Sequence, residues 1–396
     1  MYIFLLWREY KLSIAEISSV FLNSKIKYCF DTFLVLDWID QDEIIKKANR
    51  LWWTIKIIKI ISKNILNDQY NFEENIKNYI SSIYESKKIN YWVNIYKKNI
   101  PLKKILLNTK KLLKETNISS RFVNKDFKNI NTATIIWEKL VSKKTDLNFF
   151  INDENIYFWN TIWVQNIDEY SKRDFSKSRD MNIWMLPPKL AQIMINLWIK
   201  RDKIKDDNIC IYDPFAWLWT VLIEALYIWI KNIYWSDLNP RMVEITNKNL
   251  DSFKKDFNFQ KDIFLQNAKY ISEVEILSNI DLIVSEWYLW EVMTKNNISI
   301  ERIQKQKDKL LDLYEWFFSW LSRKWFKWNI VISFPFWENK WKYFYFEEIY
   351  DKINKYSYIQ KLLPDYIDIK ETKSGSLLYK RPNQLVGREI FSLKIK

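Results

Sequence analysis

The residues whose types and spacing could do chemistry lie in the second half of the chain. Asp213-Pro214-Phe215-Ala216-Trp217-Leu218-Trp219-Thr220 joins an apolar stretch, 209–212, to a segment of helical spacing, 220–230. On an open α/β sheet, ligands bind where a strand ends and a helix begins. Such a turn must be tight and let a ligand approach its backbone, which asks for glycine. Trp217 and Trp219 stand there instead. Asp237 ends the next strand candidate, Tyr234-Trp235-Ser236-Asp237, 24 residues beyond Asp213. A carboxylate so placed can accept hydrogen bonds from both hydroxyls of a ribose; alone, it would serve equally well as a helix N-cap. Asn267 follows the third strand candidate, where a plain loop role is the alternative. Ser285, Glu286 and Tyr288 end the fourth. They offer polar groups that could hold an amine and a ring that could stack on a flat ligand; capping roles remain open for the first two.

The elements that must position these residues alternate strand and helix, the pattern of a doubly wound α/β domain. Pro187-Pro188 opens a helix running to about 197. Strands are expected at 209–212, 233–234, 262–265, 282–284 and 329–334, and helices at 220–230, 240–253 and 302–321. The first half reads as α+β. It has a strand at 2–6, helices at 12–21, 41–50, 71–86, 101–116 and 131–143, a hairpin region at 27–36, a strand at 54–61 and a hairpin around 152–155. A charged, Ser-rich stretch, 165–180, reads as a linker. The expected organisation is an N-terminal region, 1–164, a linker, 165–185, and the α/β domain, 186–396.

Composition narrows the function. The chain has 396 residues, no histidine and 2 cysteines, Cys29 and Cys210, far apart. Histidine-based triads and most zinc chemistry are excluded. No metal site is expected. No apolar run approaches the roughly 18 residues of a membrane span, and no secretory leader is recognisable at the N-terminus. A reducing cytoplasm is the expected setting. The net charge of +14 is concentrated. Between Ser86 and Lys144 stand fifteen Lys or Arg residues against three acids. Such a field attracts polyanions. Lys97, Lys98, Lys103, Lys104, Lys110, Lys111, Lys143 and Lys144 are the candidate nucleic-acid contacts, with an ordinary solvated surface as the alternative.

Glycine is the anomaly. There are 2 glycines, Gly375 and Gly387, and 22 tryptophans. Glycine ordinarily makes up about 7% of a protein, close to the share of these two types together. The expectation is that most of these tryptophans are glycines, written so because a UGA codon read as glycine appears as tryptophan. A genuinely tryptophan-rich carbohydrate or base-stacking binder is the alternative.

With Trp217 and Trp219 read as glycine, DPFAGLGTVLIEA resembles the first motif of class I methyltransferases in its RNA-modifying form. Trp235, before Asp237, again falls where that family has glycine. Trp184-Met185-Leu186-Pro187-Pro188-Lys189-Leu190-Ala191 resembles the lead-in to that motif in THUMP-domain tRNA guanosine N2-methyltransferases. Leu6-Trp7-Arg8-Glu9 with Leu12-Ser13-Ile14-Ala15-Glu16 resembles their opening. Leu51-Trp52-Trp53-Thr54 would read LGGT, and the stretch 381–390 resembles their closing strand. The resemblance implies a class I, Rossmann-like methyltransferase domain behind a THUMP-type RNA-binding region. It implies S-adenosyl-L-methionine as cofactor, held by Asp213, Pro214, Phe215, Ala216, Trp217, Trp219, Thr220, Asp237 and Asn267. Taken literally, the two indoles of that loop would fill the place of the methionine and ribose. It further implies methylation of a guanosine amine in tRNA, with Ser285, Glu286 and Tyr288 at the reacting base. The sequence departs from the family at Asn267, where an Asp is usual, and at 285–288, where a D/N-P-P-Y motif is usual. A ribosomal RNA or DNA amino-methyltransferase, or an RNA-binding protein without activity, are the other readings. A partner subunit is left open.

Overall fold

A computed structural model of the chain describes residues 1–30, 32–65, 70–85, 88–96, 100–123, 126–128, 132–151, 154–166, 168, 186–199, 209–215, 219–268, 279–286, 293, 297–323 and 329–396. The chain divides into two compact units. One comprises Met1–Tyr10, Asn23–Asn49 and Trp53–Lys177; the other comprises Lys11–Leu22, Arg50–Trp52 and Ser178–Lys396.

The first unit is built on an eight-stranded sheet. Its strands are β1 (Tyr2–Leu6), β2 (Lys25–Phe30), β3 (Phe33–Asp37), β4 (Thr54–Ile65), β5 (Ile89–Tyr96), β6 (Ser120–Phe122), β7 (Asp146–Ile151) and β8 (Asn155–Val164), in the order β2-β3-β1-β4-β8-β7-β5-β6. The long antiparallel pair β4 and β8 forms its middle, with register breaks at Ile57/Ile58 and Ile60/Ser62. Helices α3 (Phe72–Ser82) and α4 (Leu102–Glu115) set Ile76, Ile80, Ile105, Leu106 and Leu113 against Tyr91, Val93, Phe149 and Phe158. The apolar positions of α4 recur at helical spacing, so its lysines fall on the other face. Inside the sheet, Lys56 lies 3.0 Å from Asp146 and donates to Asn148 at 2.7 Å, while Asn94 donates to Asp146 at 2.8 Å. The buried charges are thus paired and hydrogen-bonded, as burial demands. Helix α2 (Gln41–Ala48) is capped by Asp40, whose side chain accepts from the Asp42 N–H.

Two differences from the sequence reading stand out here. Helix α5 (Thr132–Trp137) is shorter than the 131–143 expected, of which residue 131 lies outside the described residues. Lys139 has φ 57°, a left-handed residue that closes the helix and sends 138–144 into turns. The strand β5, second from one edge of the sheet, falls between the helices expected at 71–86 and 101–116, where the sequence reading places no strand, although Ile89-Asn90-Tyr91-Trp92-Val93 is rich in strand-favouring types.

The second unit carries the α/β sheet. Strands β9 (Cys210–Asp213), β10 (Asn232–Asp237), β11 (Gln260–Leu265), β12 (Leu282–Glu286) and β13 (Asn329–Asn339) run parallel in the order β11-β10-β9-β12-β13. β17 (Val386–Ile395) then pairs antiparallel with β13 and with β15 (Ser357–Ile359); β14 (Lys342–Phe344) pairs with β13 and β16 (Leu377–Tyr379) with β17. The strand order reverses direction between β9 and β12. That is the topological switch point of a doubly wound sheet. In chain order its helices are α6 (Pro188–Ile199), α7 (Thr220–Tyr227), α8 (Pro240–Phe253), α9 (Ile300–Arg323) and α10 (Glu348–Tyr356). Along α9, Ile303, Leu310, Tyr314, Phe317 and Leu321 form one buried stripe in a core shared with Ile283, Ile330 and Ile332. Gly387 on β17 lies opposite Phe336, and a Cβ there would run into the Phe336 ring. Among the described residues, no helix is long and apolar enough to cross a membrane.

α1 (Tyr10–Val20) contributes to this unit through Glu16. Its buried carboxylate accepts from the Trp52 N–H at 3.1 Å and from Asn196 Nδ2 of α6 at 2.8 Å. Asn196 Nδ2 also donates to the Arg50 carbonyl at 2.7 Å.

Candidate active site at the strand ends

Three carboxylates end three neighbouring parallel strands: Asp237 on β10, Asp213 on β9 and Glu286 on β12. Their place at the carboxyl edge, beside the switch point, follows from the strand order. Asp213 is 4% exposed. Its Oδ1 accepts from the Ser285 hydroxyl at 2.6 Å and from the Phe215 N–H at 3.1 Å. Burial pushes Asp213 up to about 7, and the charges of Asp237 and Glu286 push the same way. The two hydrogen bonds favour the ionised form and hold the rise in check.

Asp237 is also buried, which raises its pKa, and its Oδ1 accepts from the Asn239 N–H at 2.8 Å. It is not the N-cap of α8: that is Asn239, whose side chain accepts from the Arg241 N–H. The Asp237 carboxylate therefore orders the turn ahead of the cap. β10 and β11 then place the stretch after β11 beside it, with the Gln266 N–H donating to the Asp237 carbonyl at 3.0 Å. Asn267 follows, half-buried.

Glu286 has a partner that sequence reading did not find. The Arg388 guanidinium of β17 donates to its carboxylate from 102 residues away. Both side chains are nearly buried, at 13% for Glu286 and 3% for Arg388. Burial raises the Glu286 pKa while Arg388 and, more weakly, Arg381 pull it back. The Arg388 guanidinium lies 5.9 Å from the Tyr379 ring, whose hydroxyl accepts from Arg381 at 2.9 Å. A basic and aromatic group thus surrounds the carboxylate that the sequence suggests as amine acceptor.

The structure brings together Asp213, Phe215, Ser285 and, on the adjoining strand, Asp237. Pro214 continues from β9, its carbonyl 3.4 Å from the Ser236 hydroxyl. Thr220 opens α7 and is nearly buried, behind Trp219. Ala216, Trp217 and Tyr288 lie outside the described residues, as do Trp184, Lys97 and Lys98. Of the basic candidates, Lys103, Lys104, Lys110 and Lys111 are exposed on α4, and Lys143 and Lys144 are exposed in the turns after α5. Lys103 and Lys110 lie over the rings of Phe127 and Phe122, at 5.5 and 5.8 Å.

An unbroken fold likeness accompanies this geometry. TrmN from Thermus thermophilus superposes over 100% of this chain and 99% of its own, at 10% identity and a TM-score of 0.50. A possible methylase from Clostridium difficile 630 covers 98% and 97%, at 14% identity and a TM-score of 0.47. A predicted N6-adenine-specific DNA methylase from Listeria monocytogenes covers 99% and 95%, at 10% identity and a TM-score of 0.44. The chain thus shares with TrmN a fold that runs its full length. No family model and no curated relative matches the chain.

Proposed function

We propose that the chain is an S-adenosyl-L-methionine-dependent RNA methyltransferase acting on a guanosine amine (N2) of tRNA. The observation that carries this reading is the pair of buried carboxylates, Asp213 and Asp237, on neighbouring strands at the switch point, with Ser285 bonded to the first. Two acceptors so placed suit a ligand that offers ribose hydroxyls on one side and a cationic group on the other. When bound, the cofactor supplies an electrophilic methyl group. Asp237 would hold the ribose diol, and Asp213, kept near neutrality by burial, would take up its charge beside a cation. Asn267, following the neighbouring strand, would face the adenine edge. Ser285 and Glu286 would hold the target amine, with Tyr288 stacked on the flipped base. Catalysis would be mainly alignment of the amine with the methyl group. The exposed lysines of α4 and of the turns after α5 would hold RNA through its phosphates.

Binding of S-adenosylhomocysteine by calorimetry and transfer of labelled methyl to tRNA test the reading together. In the form with glycine at 217 and 219, Asp237→Ala is expected to abolish cofactor binding while leaving the fold intact; binding at the affinity of that parent would remove Asp237 from the site. A second reading has one observation in its favour. Glu286 is already paired with Arg388, which suits an RNA-binding protein without activity. Tight tRNA binding with no methyl transfer, at saturating cofactor, would decide for it.

A further inference from the structure

Among the described residues, four tryptophans hold a left-handed backbone: Trp38 (φ 57°), Trp219 (φ 51°), Trp229 (φ 76°) and Trp341 (φ 66°). Residues with a Cβ pay for that conformation and glycine does not. Each position has its own reason to want glycine. Trp229 follows the end of α7. The Ile230 N–H donates to the Ala225 carbonyl and the Trp229 N–H to the Leu226 carbonyl, both at 3.0 Å. This paired arrangement ends helices on a left-handed residue, which is usually glycine and sometimes asparagine. Helix α4 ends in the same way on Asn117. Lys340-Trp341 is the two-residue loop between β13 and β14, with Asn339 paired to Lys342 and both loop residues at positive φ. Such hairpin turns strongly favour glycine in the second place. Trp38 and Trp219 stand in strand-to-helix links, and Trp219 caps α7 with no side-chain bond. The indoles of Trp38, Trp229 and Trp341 are 73, 72 and 93% exposed, so packing does not account for them.

The indole N–H groups of Trp92, Trp159, Trp198 and Trp235 are buried and make no hydrogen bond among the described residues. A buried Trp N–H ordinarily finds a partner, as Trp337 does on Gln306 at 3.2 Å.

We infer that positions 38, 219, 229 and 341 are glycine in the protein the cell makes, each encoded by UGA, and that the space taken by the Trp219 and Trp235 indoles is ligand space. The second part rests on the functional reading above. Trp235 pairs in register with Asp213 on parallel strands, so the two side chains leave the same face of the sheet side by side. Glycine at 235 clears room next to that carboxyl, and glycine at 219 frees a buried indole in the loop after β9.

Three measurements test this. The gene is expected to read UGA at all four positions, and native peptides to carry the glycine mass; UGG or a tryptophan mass at any of the four overturns the inference. Trp229→Gly and Trp341→Gly are expected to raise Tm by about 1–3 °C each, whereas Trp337→Gly, a control with a bonded indole, lowers it. A fall in Tm for the first two overturns the assignment independently of any ligand. Finally, the Trp219→Gly/Trp235→Gly protein is expected to bind S-adenosylhomocysteine at least tenfold more tightly than the chain as written. A stabilised glycine form that binds no S-adenosylhomocysteine keeps the glycine assignment and overturns the ligand-space part. In that case, binding of adenosine or another nucleoside would show that the functional reading had named the wrong ligand.

Discussion

At the scale of single residues, the site is governed by carboxylates taken out of water. Asp213 holds its proton more tightly in the folded chain than in the unfolded one, with a pKa of about 7 against an ordinary 3.8. The stability this proton gives is fully present below about pH 4 and is lost as the pH rises through about 7. Asp213→Asn should therefore gain on the parent between pH 4 and pH 7, and its advantage in Tm should be flat above. Thermal melts across that range check this; a pH-independent gap would show a normally ionised carboxyl. Glu286 and Arg388 make the opposite case, a buried pair. Arg388→Met strands the carboxylate and should cost about 3–5 kcal/mol in denaturant unfolding. The double change Glu286→Met with Arg388→Met should recover most of that loss, because both charges then leave the interior.

At the scale of elements, what could be read from the sequence was what repeats locally. The bounds of α8, the apolar stripe of α9 and the placing of Asp213 and Asp237 at strand ends were legible, because side-chain period and helix-start signals are encoded nearby. β5 and the strands after β13 other than the closing one were not set out, since they are short or lack clean alternation. The Arg388 partner of Glu286 was illegible for another reason: the antiparallel return of β17 beside β13 brings it there, and nothing in the spacing of 286 and 388 says so. The network across β4, β5, β7 and β8 is of the same kind. Lys56→Met should destabilise the first unit by about 3–5 kcal/mol by leaving Asp146 without its counter-charge. Hydrogen exchange would place the loss on those strands; protection unchanged there would mean that neighbouring amides satisfy Asp146 unaided.

At the scale of the whole molecule, charge and sheet topology separate into different units. The lysines of α4 belong to the first, and the strand-end carboxylates to the second. Replacing Lys103, Lys104, Lys110 and Lys111 by Gln should weaken tRNA binding and flatten its salt dependence, by roughly 0.7–0.9 in log–log slope for each phosphate that is no longer neutralised. It should leave binding of S-adenosylhomocysteine untouched. Filter binding at several salt concentrations checks it, and an unchanged slope would move the RNA-binding surface elsewhere.

The membership of Glu16 and Asn196 in one hydrogen-bonded cluster has a consequence for biosynthesis. A ribosome makes α1 long before it makes α6, with 180 positions separating the two partners. Until α6 emerges, Glu16 lacks its Asn196 donor, and the apolar residues around it (Leu12, Ile14 and Ile17) wait for the rest of their unit. The second unit therefore cannot be completed in order of synthesis: its first segment is made before most of the first unit's sheet, and its own sheet only after that one. A nascent chain stalled near residue 170 should bind a chaperone through the α1 segment, and release should follow translation of α6 and of the strands that complete the unit.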